Sequence, residues 1–145
     1  GKNNSIIKTY KFRSMTQNIT DLQQKGENKI TRVGNFLRKS RIDELPQLWS
    51  IIKNDMSLIG PRPELPSGVK YYEGKIPYYN IRHLIKPGLS GWAQIYGRHA
   101  HHGIGVEETR NKLSYDLYYL KNQSLILDVK IALKTIRTLM SQSGA

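Results

Sequence analysis

Residues 41–64 read RIDELPQLWSIIKNDMSLIGPRPE. Two adjacent acids, Asp43 and Glu44, stand directly before a proline-interrupted apolar pattern, and a Pro-Arg-Pro follows. Leu45, Leu48, Trp49 and Ile52 recur at i, i+3, i+4, i+7, the spacing of one face of an α-helix. Pro46 suits an early helical turn but would break a backbone hydrogen bond deeper inside. The spacing therefore predicts a helix that starts or kinks where the acids sit. Ser40 and Asp43 fit the S-x-x-D form of a capping box, and acids in a first turn meet the helix dipole favourably. That is the structural reading. The chemical one is compatible with it, because helix amides and nearby cations favour an ionised carboxylate. Such a carboxylate serves as a covalent nucleophile or a metal ligand.

Cations surround the pair. Arg38, Lys39 and Arg41 precede it, and Arg62 is fixed between Pro61 and Pro63. Proline restricts its own φ and the conformation of the residue before it, so Arg62 is presented with little freedom. A planar guanidinium on a stiff loop can grip a phosphate bidentately; a solvated surface turn is the alternative.

Working outward, residues 6–15, IIKTYKFRSM, predict a strand with Lys11 and Arg13 side by side on one face. Residues 17–29 read as a loop. Val33, Phe36 and Leu37 predict a short helix after Thr31. Residues 57–66 read as a loop, residues 71–85 show no clear pattern, and SGWAQIY (90–96) reads as a strand after the Lys86-Pro87-Gly88 turn. Val106, Leu113, Leu117 and Leu120 mark a further helix. Ser124 reads as the N-cap of a last one, with apolar positions 125, 126, 129, 132, 133, 136 and 140. That last helix either packs on the core through this stripe or lies on an anionic membrane. With no repeat or linker, the expectation is one α+β domain over residues 1–145, helix-dominated, with a short β-hairpin and amphipathic surface helices.

A net charge of +12, from 23 basic and 11 acidic residues, favours anionic partners: nucleic acid, membrane surface or phosphate-bearing substrates. The chain has no cysteine, which excludes disulfides, thiolate chemistry and Cys-ligated zinc. No apolar run approaches the ~18 residues of a membrane span. His99, His101 and His102 invite a metal, but no carboxylate or thiolate partner is placed beside them, and a polar loop is the simpler reading. No RRM, KH or zinc-finger signature accompanies the basic surface, so nucleic acid is not expected.

KFRSM (11–15), DELPQLWSIIKNDMSLIGPRPE (43–64), KPGLSGWAQIYGR (86–98) and KLSYDLYYLKNQSLILDVKIALKTI (112–136) resemble, in that order, the bacterial sugar transferases. These are the monotopic polyprenyl-phosphate glycosyl-1-phosphate transferases, and the resemblance covers nearly the whole chain. It implies Mg²⁺-dependent transfer of a sugar-1-phosphate from a UDP-sugar to undecaprenyl phosphate, initiating capsule, exopolysaccharide or O-antigen assembly. It implies further that Asp43 is the nucleophile of a covalent phosphosugar intermediate and Glu44 the Mg²⁺ ligand. Lys11, Arg13, Arg38 and Arg62 would be the phosphate-binding cations. The implied setting is the cytoplasmic face of the bacterial cell membrane, with its anionic surface and other polysaccharide-assembly enzymes as partners. Relatives usually carry a re-entrant membrane helix before the KFRSM-type motif, so the chain is expected to be the catalytic part of a longer membrane protein. Arg41 departs from the small polar residue that many relatives place before the Ile/Leu-Asp-Glu triplet. A catalytically silent module binding UDP-sugar or membrane is the alternative, against which the intact Asp43 and Glu44 argue.

Overall fold

A computed structural model describes residues 1–16, 29–97 and 105–140. The readings of residues 17–28 as loop and of His99–His102 as loop or metal site lie outside the described residues. Helices dominate: α1 (Arg32–Lys39), α2 (Leu48–Ile52), α3 (Pro66–Glu73), α4 (Trp92–Tyr96), α5 (Val106–Asn122) and α6 (Leu125–Met140). Two short strands, β1 (Ser57–Ile59) and β2 (Gly88–Ser90), and 3-10 turns at Ile42–Gln47 and Tyr79–His83 complete the frame of the site. The class is α+β, as the sequence predicts.

The sheet is not a hairpin. β1 and β2 pair in parallel, Ser57 opposite Gly88 and Ile59 opposite Ser90, with α3 and the Tyr79–His83 turn in the connection between them. A parallel pair requires such a crossover. The pairing demands close backbone approach: a Cβ on Gly88 would lie 2.1 Å from the Gly60 nitrogen. The Gly88 amide donates to the Pro61 carbonyl at 2.9 Å, so this contact also sets the position of the Pro-Arg-Pro loop. Gly88→Ala is accordingly expected to cost about 3 kcal/mol by forcing the two backbones apart. Urea unfolding of the variant checks this.

α5 is the spine of the core. Leu113 packs with Tyr72, Ile76 and Tyr79. Two turns on, Tyr119 packs with Ile59 of β1 and Ile131 of α6. The Tyr119 hydroxyl donates to Asp128 at 2.7 Å, which ties α5 to the first turn of α6. Ser124 caps that helix as expected, accepting from the Leu127 amide at 3.3 Å. The inward face of α6, however, carries Leu127 and Ile131. Of the stripe read from the sequence, Ala132 packs inward, while Leu125, Ile126, Val129, Leu133 and Ile136 are exposed.

The same inversion occurs beside the acids. Leu45, Leu48, Trp49 and Ile52 face outward, Trp49 being 53% and Ile52 73% exposed, while Asp43, Glu44, Gln47 and Ser50 are buried. A helical period reports that a face is apolar, not which way that face points. α1 forms as predicted, with the Thr31 hydroxyl accepting from the Gly34 amide at 2.8 Å. It packs through Gly34, where a Cβ would meet the Ser14 carbonyl oxygen at 1.9 Å, and leaves Val33 and Phe36 exposed.

Two strand expectations fail. SGWAQIY supplies only its serine to β2, and residues 92–96 form α4. Residues 6–15 form no strand; Met15 makes one antiparallel bridge to Ile30. The segment is held instead along the acid-bearing turn: the Phe12 amide donates to the Asp43 carbonyl at 2.9 Å and the Ser50 hydroxyl to the Lys8 carbonyl at 3.0 Å.

Candidate active site

Asp43 and Glu44 lie in the first turn of the 3-10 segment Ile42–Gln47, which carries Pro46 inside it and leads directly into α2. The chain enters this turn through Arg41, which adopts a left-handed conformation (φ 57°, ψ 12°). A side-chain-bearing residue there is uncommon and mildly strained, and such strain gathers at functional sites. Ser40 does not cap the acids. It ends α1, its hydroxyl donating to the Phe36 carbonyl at 2.8 Å, and the capping-box expectation fails because Arg41 turns the chain between them.

Glu44 gathers cations from two distant places in the chain and from one nearby. Its Oε1 accepts from Lys11 Nζ at 2.9 Å and from Arg62 Nη2 at 2.7 Å. Its Oε2 lies 3.9 Å from Arg41 Nη1, beyond hydrogen-bond reach. Burial alone would raise the Glu44 carboxyl, but the hydrogen bonds and charges of Arg62, then Lys11, overcome it and lower its pKa to about 2. Unfolded, the group titrates near 4.5. Between these values the unfolded chain binds more protons, so stability rises with pH across the window and falls as pH drops from 4.5 towards 2. The contribution is on the order of 3 kcal/mol above pH 5. Glu44→Gln is expected to flatten the acid limb of stability over that window, as measured by denaturant unfolding from pH 5 to 2.5.

Asp43 is 8% exposed, and its carboxylate makes no hydrogen bond or ion pair with any other described residue. The two neighbouring acids therefore have opposite environments. Glu44 is locked; Asp43 is left open. Of the cations named from sequence, Lys11 and Arg62 converge on Glu44, and Arg41 flanks it. Arg38 lies in the last turn of α1 and Arg13 follows Phe12; both are exposed and neither pairs with the acids. A cleft of about 690 Å³ adjoins the cations, walled by Ile6, Ile7, Pro63, Leu65 and Val69. Lys11 and Arg62 line it; Asp43 and Glu44 do not. Lys11 and Arg62 are thus shared between the cleft and Glu44.

Sequence reading misses three buried ionisable side chains, Arg82, Lys112 and Asp116, of which Arg82 and Asp116 lie 2.8 Å apart. A signal for Asp116 was present. It falls at i+3 from Leu113 and i−4 from Leu120, an acid on the inward side of α5. Among the described residues no group of three or more His, Asp or Glu gathers to cage a metal. Mg²⁺ commonly takes only one or two carboxylates together with substrate phosphates. The uncommitted Oε2 of Glu44 and the open Asp43 carboxylate fit a cation held in that shared way.

The family model for bacterial sugar transferases matches residues 1–142. The chain belongs to the bacterial sugar transferase family. It is 48% identical, over its full length, to a UDP-N-acetylgalactosamine-undecaprenyl-phosphate N-acetylgalactosaminephosphotransferase of Aeromonas hydrophila. Over 84% of its length it is 41% identical to a UDP-glucose:undecaprenyl-phosphate glucose-1-phosphate transferase of Caulobacter vibrioides. An exopolysaccharide production protein of Rhizobium leguminosarum is 37% identical over 94% of the chain. The chain spans 34%, 45% and 72% of these three relatives respectively.

Proposed function

We propose that this chain is the catalytic domain of a sugar-1-phosphate transferase acting on a UDP-sugar and undecaprenyl phosphate through a covalent intermediate on Asp43. The observation that carries the reading is the contrast between the two acids: a buried, unengaged Asp43 beside a Glu44 that collects Lys11 and Arg62. The names of the relatives support the substrates. An Asp43 oxygen attacks the sugar-bearing phosphorus of the donor; a new O–P bond forms, the bridging P–O bond breaks, and UMP leaves with that electron pair. An oxygen of the lipid phosphate then attacks the same phosphorus and the Asp43 carboxylate departs, giving the lipid diphosphosugar. Neither step requires a general base, since each nucleophile is an oxyanion.

Carboxylate attack on a diphosphate works against charge repulsion, so the protein must supply cations where charge accumulates. Lys11 and Arg62 supply them, pre-aimed by Glu44 before substrate arrives. Arg38 and Arg13, further out and exposed, suit the approach of the anionic substrates. Glu44, with Asp43 nearby, would hold Mg²⁺ together with the diphosphate oxygens, where the ion neutralises charge on the phosphates.

The outward apolar faces support a place on an anionic membrane surface. Leu45, Leu48, Trp49 and Ile52 form one such face, with Lys53 Nζ set 5.4 Å over the Trp49 ring. The stripe on α6 forms another, flanked by Lys130 and Lys134, which lie over Trp92 and Tyr96. Apolar residues bordered by lysines and aromatic rings suit the boundary between headgroups and acyl chains. Among the described residues no helix is long and apolar enough to cross a membrane.

Isotope exchange tests the two-step scheme without any lipid. Labelled UMP should enter the UDP-sugar pool when enzyme, donor and Mg²⁺ are mixed, because a covalent intermediate makes the first step reversible on its own. A direct transfer from donor to lipid would give no exchange in the absence of acceptor.

A further inference from the structure

The Arg62 main chain is tied to the buried charge pair behind the site. Arg82, in the Tyr79–His83 turn, is 2% exposed. Its Nη2 lies 2.8 Å from Asp116 Oδ2 on α5 and also donates to the Arg62 carbonyl at 2.9 Å. Its Nη1 donates to the Tyr79 hydroxyl at 2.9 Å. Burial draws the Arg82 pKa down, yet the charge of Asp116, the contacts with Tyr79 and the charge of Glu64 together more than reverse this, so the guanidinium stays protonated. Neighbouring His83 adds no charge at pH 7, because burial and then the Arg82 charge lower its pKa to about 4.

Stability alone is a poor reason for such a pair, since desolvating two charges costs about as much as their attraction returns. Its third partner is the informative one. Pro61 and Pro63 limit the local conformation of Arg62 but do not fix the loop relative to Glu44. The Gly88 amide anchors the loop at the Pro61 carbonyl, and the bond from Arg82 anchors it at the carbonyl between those prolines. A planar guanidinium can donate to Tyr79 and to this carbonyl in fixed directions while its charge faces Asp116, which a lysine cannot.

We propose that Arg82, held by Asp116, is a positioning residue that fixes the Arg62 main chain and thereby aims the Arg62 guanidinium at Glu44 and at the substrate phosphate. The catalytic arm of its test rests on the proposed function; the spectroscopic arm does not.

The spectroscopic arm follows the Arg62 side-chain Hε–Nε resonance by NMR, assigned by its loss in Arg62→Ala. It is expected to stand apart from those of exposed arginines in the unmodified chain and to collapse towards them in Arg82→Lys. An unchanged resonance in a folded Arg82→Lys protein overturns the proposal. The catalytic arm measures UMP release without acceptor in a double-mutant cycle. Arg82→Lys should slow release by about 10- to 100-fold, the effect of a small misplacement, and by less than about twofold when Arg62 is already alanine. Equal slowing in both backgrounds overturns the proposal. Should Arg82→Lys not fold, Tyr79→Phe keeps the ring and removes one tether; it should give smaller changes of the same kind, and none in either arm would be contrary. If the unmodified chain releases no UMP, the proposed function fails, while the NMR arm still decides the positioning role.

Discussion

Asp43→Asn is expected to abolish release of UMP from UDP-sugar, with a loss on the order of 10⁴-fold or more, as removing a nucleophile does. Asparagine preserves the shape of the side chain and the hydrogen bond from Phe12 to the residue 43 carbonyl. It cannot form the acyl phosphate. Donor affinity should stay within about threefold, because the contacts proposed to bind the diphosphate belong to Lys11 and Arg62. Steady-state turnover together with calorimetric titration of UDP-sugar into the variant separates the two effects. Stability should be unchanged or slightly higher, since a buried carboxylate with no described partner is replaced by a neutral amide. A nucleic-acid or membrane binder with no chemistry at this site would be indifferent to the substitution in every assay.

Arg62→Ala is the second large effect. It removes the cation closest to Glu44, at 2.7 Å, and leaves Lys11, whose ammonium is more exposed, as the remaining hydrogen-bonded partner. Loss of one preorganised charge at a site of developing negative charge typically costs about 10²- to 10³-fold in rate, and that is the expected fall in adduct formation. Arg62→Lys should recover only part of it, since a point charge lacks the planar fork that meets two oxygens together. Rapid-quench measurement of UMP release with each variant checks both expectations. A uniform rise in KM with an unchanged rate constant would instead mark Arg62 as a binder of the ground state.

What the residues announced and what they concealed divide along a physical line. The acids, the stiffened arginine and the KFRSM lysine were readable because each is an unusual local choice: paired carboxylates at a proline break, a cation between two prolines. Their meeting was not, since Lys11 and Glu44 stand 33 positions apart and nothing local encodes the approach. The helices α1, α5 and α6 were readable from their period. Burial was not: the apolar faces of α2 and α6 point outward, and polar Gln47 and Ser50 fill the inner side. The strands were hidden because each is three residues long, and their parallel pairing depends on the contact between Gly60 and Gly88 rather than on β-branched side chains. Arg82 stayed unread because the segment around it carries no apolar period.

The most direct test is to incubate the chain with Mg²⁺ and UDP-N-acetylgalactosamine or UDP-glucose, without lipid, and to map its mass by intact and peptide mass spectrometry. A sugar-phosphate adduct is expected on the peptide bearing Asp43, absent in Asp43→Asn and discharged by added undecaprenyl phosphate. An adduct on another residue, or turnover by the Asp43→Asn variant at an undiminished rate, would contradict Asp43 as the nucleophile.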